Sequence, residues 1–288
     1  MGGPSAEHEI SRRTGRMVLE HLDKNKYQAR GIVISESGHW PTSIASIKRS
    51  FDLAFIAMHG EYGEDGQVQE LLERAGIKFT GSGAAASRLG MDKAASGALF
   101  QNAGLKIPPR ADKVPLVIKP SDRGSSVGVS IVKKNYEIAP AVLLAAKYSA
   151  NIICQKYIQG REFTCGILET NSKAKALPPT EIIPKTNFFD YKAKYTSGAS
   201  REITPPELSV SKIKEIQRTA LAAHRAIGAR GLSRTDVIMD KKGVFYVLEI
   251  NTLPGLTKTS LLPQEAAALG IEFPRLLEII IENALRRV

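Results

Sequence analysis

Residues 244–263 read VFYVLEINTLPGLTKTSLLP, an apolar run that ends in polar side chains. The run predicts a strand that carries Glu249 and Asn251 two positions apart, followed by a turn at Pro254 and Gly255. Alternate residues of a strand share one face, so the acid and the amide point the same way. The turn leads into a stretch rich in hydroxyl groups: Thr257, Thr259 and Ser260.

The preceding segment, LSRTDVIMD (residues 232–240), predicts the partner strand of a hairpin. A turn at residues 241–242 would place Asp236 opposite Val247 and Arg234 opposite Glu249. The polar side chains of both strands then line one face: Arg234, Asp236, Glu249 and Asn251.

Two carboxylates and an amide oxygen on one sheet face suit a hard cation. Mg²⁺ takes a few carboxylates and fills its remaining positions with phosphate and water. The alternative is an ion pair between Arg234 and Glu249 on a solvated face, and the hairpin alone leaves the two interpretations equal.

Residues 116–132, LVIKPSDRGSSVGVSIV, predict two strands joined by a glycine-serine loop. Lys119 ends the first strand as a fixed cation, and the loop offers backbone N–H groups and the Ser125 and Ser126 hydroxyls. The P-loop pattern is absent from the sequence. The loop is therefore either a flap over a phosphate chain or a plain hairpin turn.

Two further stretches carry weaker signals. GGPSAEHEIS (residues 2–11) combines Gly2 and Gly3 with a helix that begins near Glu7, where a carboxylate suits the helix dipole. FFDYKAKYTSGAS (residues 188–200) has few apolar anchors and is either a mobile surface segment or a lid that closes on a substrate. The lid interpretation involves Lys192, Lys194 and Tyr195.

The chain has 288 residues, which allows two or three domains. Hydrophobic residues make up 43% and charged residues 24%, as in ordinary globular proteins. No apolar run approaches the roughly 20 residues of a membrane span, and the N-terminus lacks a signal-peptide core, so the expected location is the cytoplasm. The net charge of +11 comes from dispersed basic residues with few aromatic neighbours, which disfavours nucleic-acid binding. Cys154 and Cys165 are predicted as core residues.

The order of elements predicts a fold that combines α/β and α+β parts. The first 80 or so residues alternate helix and strand signals, which favours a parallel sheet with His59, Glu64 and Asp65 at a strand end. The middle part of the chain is predicted to form antiparallel strands. The last third opens with a stretch predicted as irregular (residues 182–208), followed by a helix, the hairpin and a closing helix.

The motifs, in their order along nearly the whole chain, resemble the D-alanine–D-alanine ligase family of the ATP-grasp superfamily. The motifs that carry the resemblance are GGPSAEHEIS, HGEYGEDGQVQ, TGSG, MDK, KPSDRGSSVG, GREFT, DYKAKYTSG, DVI and EINTLPGLTKTSLLP. The resemblance implies an ATP-grasp fold with a Rossmann-like, parallel-sheet N-terminal domain at residues 1–81. A central ATP-grasp subdomain at 82–155 and a C-terminal catalytic subdomain at 156–288 would follow.

The resemblance also implies roles for individual residues in joining two D-alanines through an acyl phosphate, a step in peptidoglycan precursor synthesis. The residues implied in ATP binding are Lys93, Lys119, Ser126, Gln155, Lys156, Ile158 and Glu162. Those implied in catalysis are Glu7, Ser125, Tyr195, Arg234, Gly255 and Ser260. Those implied in D-alanine binding are Glu7, His59, Lys194, Ser260 and Leu261. Two Mg²⁺ ions, with Mn²⁺ as an alternative, would be held by Asp236, Glu249 and Asn251. A homodimer is also implied.

Three departures from the family pattern stand out. Gly2 and Gly3 follow Met1 directly where the family has an apolar strand, so the first parallel strand is expected to be missing, through a late start codon or a real loss. The connection at residues 108–116 is shorter than usual, and Gln155 replaces an acid.

Other functions stay open at this stage. Another ATP-grasp carboxylate–amine ligase or a D-alanine–D-lactate ligase would share most of these motifs, although Tyr195 favours an amine acceptor. A catalytically inactive nucleotide-binding module would be expected to lack Arg234, Asp236 or Glu249, and all three are present.

Overall fold

The computed structural model describes residues 1–171, 173–184, 200–257 and 259–287. The helices within these ranges are α1 (His8–His21), α2 (Ile44–Ser50), α3 (Gln67–Ala75), α4 (Ala84–Met91), α5 (Lys93–Asn102), α6 (Ile138–Ala146), α7 (Val210–Ala226), α8 (Leu261–Ala267) and α9 (Phe273–Leu285). The strands are β1 (Leu116–Pro120), β2 (Ser130–Val132), β3 (Ile152–Lys156), β4 (Gly160–Thr170), β5 (Lys173–Ala176), β6 (Thr180–Pro184), β7 (Ser200–Ile203), β8 (Leu232–Asp240) and β9 (Phe245–Asn251). No helix in these ranges is long and apolar enough to cross a membrane.

The predicted hairpin is β8 and β9, but the predicted register is wrong. Asp236 pairs with Glu249 and Arg234 with Asn251, each two positions from its predicted partner. The turn accounts for one position, since Val237 pairs with Val247 rather than with Tyr246, and a bulge between Asp236 and Val237 accounts for the other. A bulge adds one residue to one strand and breaks the strict alternation from which the register was predicted. The four polar side chains still share one face, since a register shift of two positions keeps every side chain on its original side.

This hairpin belongs to a larger antiparallel sheet. Its strands run in the order β7-β6-β4-β8-β9, with β5 paired to β4 at the other end of that strand. The ends of the stretch predicted as irregular are in fact strands, since β6 and β7 pair from Glu181–Ile203 to Pro184–Ser200. Both strands are short, and their pairing across 15 intervening residues is a tertiary contact without a local sequence signal.

A smaller sheet carries the glycine-serine loop. Its order is β2-β1-β3, antiparallel throughout, as the sequence predicts for this part of the chain. Helix α6 packs on β1, and Ala145 of that helix is fully buried against the sheet together with Ile118. Lys119 thereby lies near the end of a strand that is packed between α6 and its two neighbouring strands.

The expected parallel sheet in the first 81 residues is reduced to isolated bridges. Gly2 bridges to Ile34 and Ala54 to Phe79, both in parallel orientation, while the named strands of the two sheets are all antiparallel. Predicted strands at residues 30–35 and 51–60 therefore appear as extended segments. A ladder needs consecutive bridged pairs, and each of these segments has a single parallel bridge.

Between these extended segments lies a cavity of about 620 Å³. It is lined largely by apolar residues, among them Val18, Leu22, Ile34, Phe55 and Ile281. The Met1 backbone reaches into its rim, where the Met1 ammonium donates to the Ile32 carbonyl at 3.0 Å.

Adding an apolar strand of about six residues before Met1 is expected to raise the melting temperature, because it would fill this cavity and pair with the extended segments. Differential scanning calorimetry of the extended and present chains would measure the shift. An extension of equal length made of Gly and Ser serves as the control. An apolar extension that leaves the melting temperature unchanged or lowers it would show that the present N-terminus already packs optimally.

The main core lies between the large sheet and α7. Ile216, Ala220 and Ala223 of α7 are each 0% exposed and contact Phe163 and Val237 of the sheet cluster, as the helical spacing predicts. Cys165 is buried in the same cluster, and both it and the half-buried Cys154 are free thiols, in agreement with their prediction as core residues. This packing holds β4 and β8 rigid beneath the polar face.

Candidate functional site

Two cavities meet above the polar face of the hairpin. One of about 720 Å³ extends toward the N-terminal helix α1 and the loop after β9, and the other, about 370 Å³, extends toward the small sheet. Lys93, Asp236 and Glu249 line both cavities. A molecule bound in one cavity would therefore reach a molecule bound in the other at these three side chains.

The four residues of the polar face form a wall of these cavities rather than a solvated surface. Arg234 binds Asp236 through two hydrogen bonds, Nε to Oδ1 at 3.0 Å and Nη2 to Oδ2 at 3.1 Å. Glu249 Oε2 lies 3.2 Å from Lys93 Nζ. The alternative of an Arg234–Glu249 surface ion pair is thus wrong, because each acid pairs with a different cation and the side chain of Arg234 is only 15% exposed.

The same face suits a divalent cation bound together with phosphate. Within the described ranges, no group of three or more His, Cys, Asp or Glu side chains is placed to hold a metal ion by itself. Asp236 and Glu249 supply two carboxylates, and Asn251 Oδ1, which accepts from the Leu253 N–H at 2.7 Å, supplies an amide oxygen. Mg²⁺ typically takes one or two carboxylates and obtains the rest from phosphate and water. The donor set therefore fits a metal that arrives with a polyphosphate.

Lys93 and Lys119 form a buried cationic pair beside Glu249. Burial, together with the charge of Lys93, lowers the pKa of Lys119 to about 8, and the Glu249 carboxylate opposes both effects. Lys93 Nζ also donates to the Arg123 carbonyl at 2.6 Å. Two buried ammonium groups beside one carboxylate carry a net positive charge, and a bound anion would neutralise it.

The glycine-serine loop lies between the two cavities. Ser125 has φ 52° and Ser126 φ 58°, a left-handed conformation that few non-glycine residues adopt and that is often found at ligand sites. The Ser125 hydroxyl donates to Glu7 Oε1 at 2.9 Å and thus links the loop to the start of α1. Ser125 lines the larger cavity and Ser126 the smaller one, so the phosphate-flap interpretation fits better than a plain turn.

The smaller cavity has apolar walls and a polar rim, as a purine and ribose require. Val117, Ile131, Ile158 and Leu248 supply apolar surface. The remaining predicted nucleotide-binding residues of this region all line it: Gln155, Lys156 and Glu162. Gln155 is buried, and its Nε2 donates to the Pro108 carbonyl at 3.0 Å.

His59 is buried at the end of its extended segment, near Glu7. Its Nε2 lies 2.8 Å from the Thr14 hydroxyl, and its Nδ1 lies 3.5 Å from Glu64 Oε1. Asp65, predicted at the same strand end, instead accepts hydrogen bonds from the Tyr62 and Gln67 N–H groups before α3. His59 and Glu64 line the larger cavity together with Glu7, and Asp65 does not contribute to this group.

The loop after β9 is braced by its own hydroxyls. Ser260 Oγ accepts from the Thr257 N–H at 3.0 Å and lies 2.8 Å from Thr257 Oγ1. A side chain on Gly255 would come within 2.8 Å of Ser260 Oγ, so only glycine permits this close approach. Gly255, Ser260 and Leu261 all line the larger cavity.

Sequence reasoning missed several residues of the larger cavity. Glu202 of β7 accepts from Gln264 Nε2 of α8 at 2.8 Å, and Arg13 lines the wall near α1. Only the cavity geometry identifies these residues, because their partners lie far away in sequence. Lys192, Lys194 and Tyr195 lie outside the described residues, so their predicted roles stay predictions.

Glu265 is a buried acid next to this site. Burial raises its pKa to about 8, although the Gly166 N–H and the Arg234 guanidinium favour the charged form. Between its ordinary pKa of 4.5 and about 8 the group is protonated in the folded protein and ionised in the unfolded chain. The unfolded chain then binds fewer protons, so the free energy of unfolding falls as pH rises through this window.

Replacing Glu265 by glutamine is expected to flatten this pH dependence. For each pH unit inside this window, the free energy of unfolding of the wild type should fall by up to about 1.4 kcal/mol relative to that of E265Q. Chemical denaturation at a series of pH values measures both proteins. The surface variant E215Q, whose parent side chain is 42% exposed, should follow the wild type. If the free energy of unfolding varied with pH in the same way in wild type and E265Q, the pKa of Glu265 would not be raised in the folded protein.

Comparison with known families gives two matches that together cover most of the chain. The family model "D-ala D-ala ligase C-terminus" matches residues 105–282. The model "D-ala D-ala ligase N-terminus" matches residues 1–49 and 41–82. The chain is 41% identical to the D-alanine--D-alanine ligase of Pelotomaculum thermopropionicum over 308 aligned positions, covering 99% of this chain and 95% of the relative. It is 42% identical to that of Geotalea uraniireducens, covering 100% and 95%.

Solved structures give the same picture. The chain resembles VanG D-Ala:D-Ser ligase from Enterococcus faecalis with a TM-score of 0.89 at 29% identity, covering 99% of this chain and 97% of the other. It resembles D-alanine--D-alanine ligase from Bacillus anthracis complexed with ATP with a TM-score of 0.82 at 32% identity, covering 99% and 96%. The ATP-grasp fold expected from the motifs is therefore confirmed.

Proposed function

The chain belongs to the D-alanine–D-alanine ligase family, and on that premise we propose which of its residues join the two D-alanines at the expense of ATP. The observation that carries the proposal is the meeting of two cavities at Lys93, Asp236 and Glu249, with Arg234 on the same face. The smaller cavity suits a nucleotide, and the larger cavity suits two amino acids. Phosphoryl transfer and then acyl transfer would take place where they meet.

We propose three units with the boundaries 1–81, 82–155 and 156–288. The N-terminal unit keeps a Rossmann-like parallel arrangement, which its two parallel bridges support. The central unit contains the small sheet and the glycine-serine loop, and the C-terminal unit contains the large sheet. A hydrophobic cluster that lies wholly within the central unit supports its separation from the other two.

In the nucleotide half, Lys93 and Lys119 neutralise the phosphates while the loop at Ser126 covers them. Ile158 and Lys156 border the adenine with Gln155, and Glu162 accepts from the ribose hydroxyls. The buried cationic pair supports this placement, because ATP would supply the negative charge that the pair lacks.

Asp236, Glu249 and Asn251 would hold Mg²⁺, or Mn²⁺ in its place. A divalent ion bound there would neutralise charge that develops on the transferred phosphoryl group. Arg234 and Lys93 pair with the two carboxylates at this position.

In the amino-acid half, Glu7 receives the ammonium of the first D-alanine, with His59 beside it. The carboxylate of this substrate attacks the γ-phosphorus of ATP, so that an acyl phosphate forms and ADP leaves. The amine of the second D-alanine, after losing a proton, attacks the acyl carbon, and inorganic phosphate leaves. Arg234 and the Gly255 N–H stabilise the oxyanion of the tetrahedral intermediate.

The second D-alanine is held through its carboxylate by Ser260, the Leu261 N–H and Lys194. The wall formed by Gly255, Ser260 and Leu261 in the larger cavity supports this placement. Because one structural relative is a D-Ala:D-Ser ligase, the acceptor is tested with D-serine as well as D-alanine. We further propose a homodimer, which light scattering after gel filtration would test.

The acyl phosphate is tested by isotope transfer. Incubation with ATP and D-alanine labelled with ¹⁸O in its carboxylate should yield inorganic phosphate that carries one ¹⁸O per dipeptide formed, since the bridging oxygen leaves with the phosphate. Mass spectrometry of the phosphate measures the label. Unlabelled phosphate alongside dipeptide would exclude attack of the carboxylate on ATP.

Replacing Tyr195 by phenylalanine is expected to change acceptor choice. If Tyr195 bonds to Ser125 and so to Glu7, it holds the lid in the geometry that accepts an amine. Its hydroxyl would then be worth roughly 1–3 kcal/mol. We expect the variant to lose dipeptide synthesis at neutral pH and to gain ester formation with D-lactate. Competition between the two acceptors from about pH 6 to 9 measures the product ratio, and an unchanged ratio at every pH would remove Tyr195 from acceptor selection.

A further inference from the structure

Glu265 is a buried acid for which the proposed reaction has no role. It lies on the inner face of α8 with Leu262 and Ala266, and all three residues are 0% exposed. Its Oε2 accepts from the Gly166 N–H of β4 at 2.6 Å. Its Oε1 is also sealed from solvent, with the Thr180 hydroxyl beside the carboxyl. Burying an acid on an otherwise apolar helix face costs stability unless hydrogen bonds compensate it. Its presence there therefore points to a specific role.

The contact between Glu265 and Gly166 lies next to Arg234. Gly166 pairs with Arg234 in the β4–β8 ladder, and paired residues point to the same side of a sheet. A side chain on Gly166 would collide with Leu262 and approach Glu265 Oε2 to 2.6 Å. Glycine therefore leaves a space beside the Arg234 side chain, and the Glu265 carboxyl fills it.

The other end of α8 forms the wall of the acceptor cavity. The helix begins at Leu261 directly after Ser260, whose hydroxyl ties it to Thr257. Because the Ser260 hydroxyl ties the loop to the start of this short helix, we expect a shift of Glu265 relative to β4 to shift Ser260 relative to Arg234. Gln264, the neighbour of Glu265, lines the cavity, while Glu265 itself is sealed from solvent.

We infer that Glu265, through its hydrogen bond to the Gly166 N–H, is a positioning residue that holds the acceptor wall of Gly255, Ser260 and Leu261 at the correct distance from Arg234. The inference rests on the proposed function, because it assumes that this wall binds the second D-alanine. Glu265 touches neither substrate, so its effect is confined to the placement of the acceptor. Glu7 of the donor site lies directly before α1, and no residue of α8 lines the nucleotide cavity, so we expect donor and ATP binding to depend little on Glu265.

Two variants separate the hydrogen bond from mere packing. Leucine at position 265 keeps most of the bulk but accepts no hydrogen bond, whereas glutamine keeps an acceptor oxygen and resembles the protonated acid. The control is A267S, which changes the exposed side of the same helix. The two D-alanine KM values are resolved from the full concentration dependence of the rate, and the ATP KM is measured alongside.

We expect E265L to raise the KM of the acceptor D-alanine by about tenfold, equivalent to about 1.4 kcal/mol for the lost hydrogen bond. Its donor and ATP KM values should stay within about twofold of wild type, and E265Q should restore the acceptor KM. The inference is overturned if E265L matches A267S, or if its three KM values rise together. A tenfold higher acceptor KM in folded E265Q would also overturn it, and this arm remains decisive if E265L does not fold. A wild-type protein that makes no dipeptide would instead refute the proposed function.

Discussion

Replacing Glu249 by glutamine is expected to lower kcat by roughly 10³-fold or more, because several kcal/mol of charge stabilisation depend on an anionic ligand at this position. Glutamine keeps the shape of the side chain, and Glu249 stands where both cavities meet. The variant also leaves Lys93 without its carboxylate partner, which lies 3.2 Å away. Calorimetric titration with ATP at several Mg²⁺ concentrations should show a weaker Mg²⁺ dependence of ATP binding, a readout that does not require turnover.

The matched control for E249Q is E215Q, which removes a carboxylate from an exposed i,i+3 pair on α7 outside both cavities. An exposed pair contributes about 0–1 kcal/mol, so this variant should keep wild-type activity. Near wild-type turnover of E249Q at saturating Mg²⁺ would contradict the assignment of Glu249 as a metal ligand.

Replacing Arg234 by methionine is expected to lower kcat by about 10²- to 10³-fold, the effect of removing one oxyanion donor. Burial works against the charge of this guanidinium, but the Asp236 carboxylate outweighs it and holds the pKa of Arg234 above its ordinary value. The charge is therefore present at every pH at which the enzyme is assayed. Since Arg234 contacts Asp236 through two parallel hydrogen bonds, R234K should restore only part of the rate.

The loss in R234M should appear in the acyl-transfer step rather than in ATP binding. In rapid-quench measurements on R234M, the rate of the early phase of ADP formation should fall less than the rate of dipeptide formation. R275M, which removes an exposed arginine paired with Glu278 and Glu282 on α9, is the matched control. Equal rates of dipeptide formation in R234M and R275M would exclude the oxyanion role.

The hairpin illustrates what the sequence can predict. The alternation of residues 232–240 and 244–251 correctly places Arg234, Asp236, Glu249 and Asn251 on one face. It cannot reveal the bulge beside Asp236, because an extra residue in a ladder depends on packing against neighbouring strands. The error in register did not affect the site, since it amounts to two positions and so leaves each side chain on the same face.

Other parts of the site depend on contacts between distant residues. The hydrogen bond from Ser125 to Glu7 spans 118 positions, and only the family resemblance assigned both residues to one site. The ion pair of Lys93 with Glu249 and the contact of Glu265 with Gly166 had no sequence signal. Local patterns specify which face of an element is polar, whereas tertiary packing decides which polar groups meet.

In the N-terminal region, the sequence predicts more strand than the structure contains. Strong β-forming runs at residues 30–35 and 51–60 predicted strands, yet the segments carry only isolated bridges. A strand is defined by its neighbours as much as by its own residues, so propensity alone overestimates it. The cavity of about 620 Å³ between the segments marks where a neighbour would lie.

The central claim is that this chain uses ATP to join two D-alanines through their carboxylate and amine. The most direct test is ADP release by the purified protein with ATP, Mg²⁺ and D-alanine, compared with L-alanine, D-lactate, D-serine and no added substrate, with each product identified by mass spectrometry. Release of ADP that depends on D-alanine and matches the amount of D-alanyl-D-alanine formed is the predicted result. ADP release that is equal with L-alanine or without any amino acid, or that yields no dipeptide, would contradict the claim.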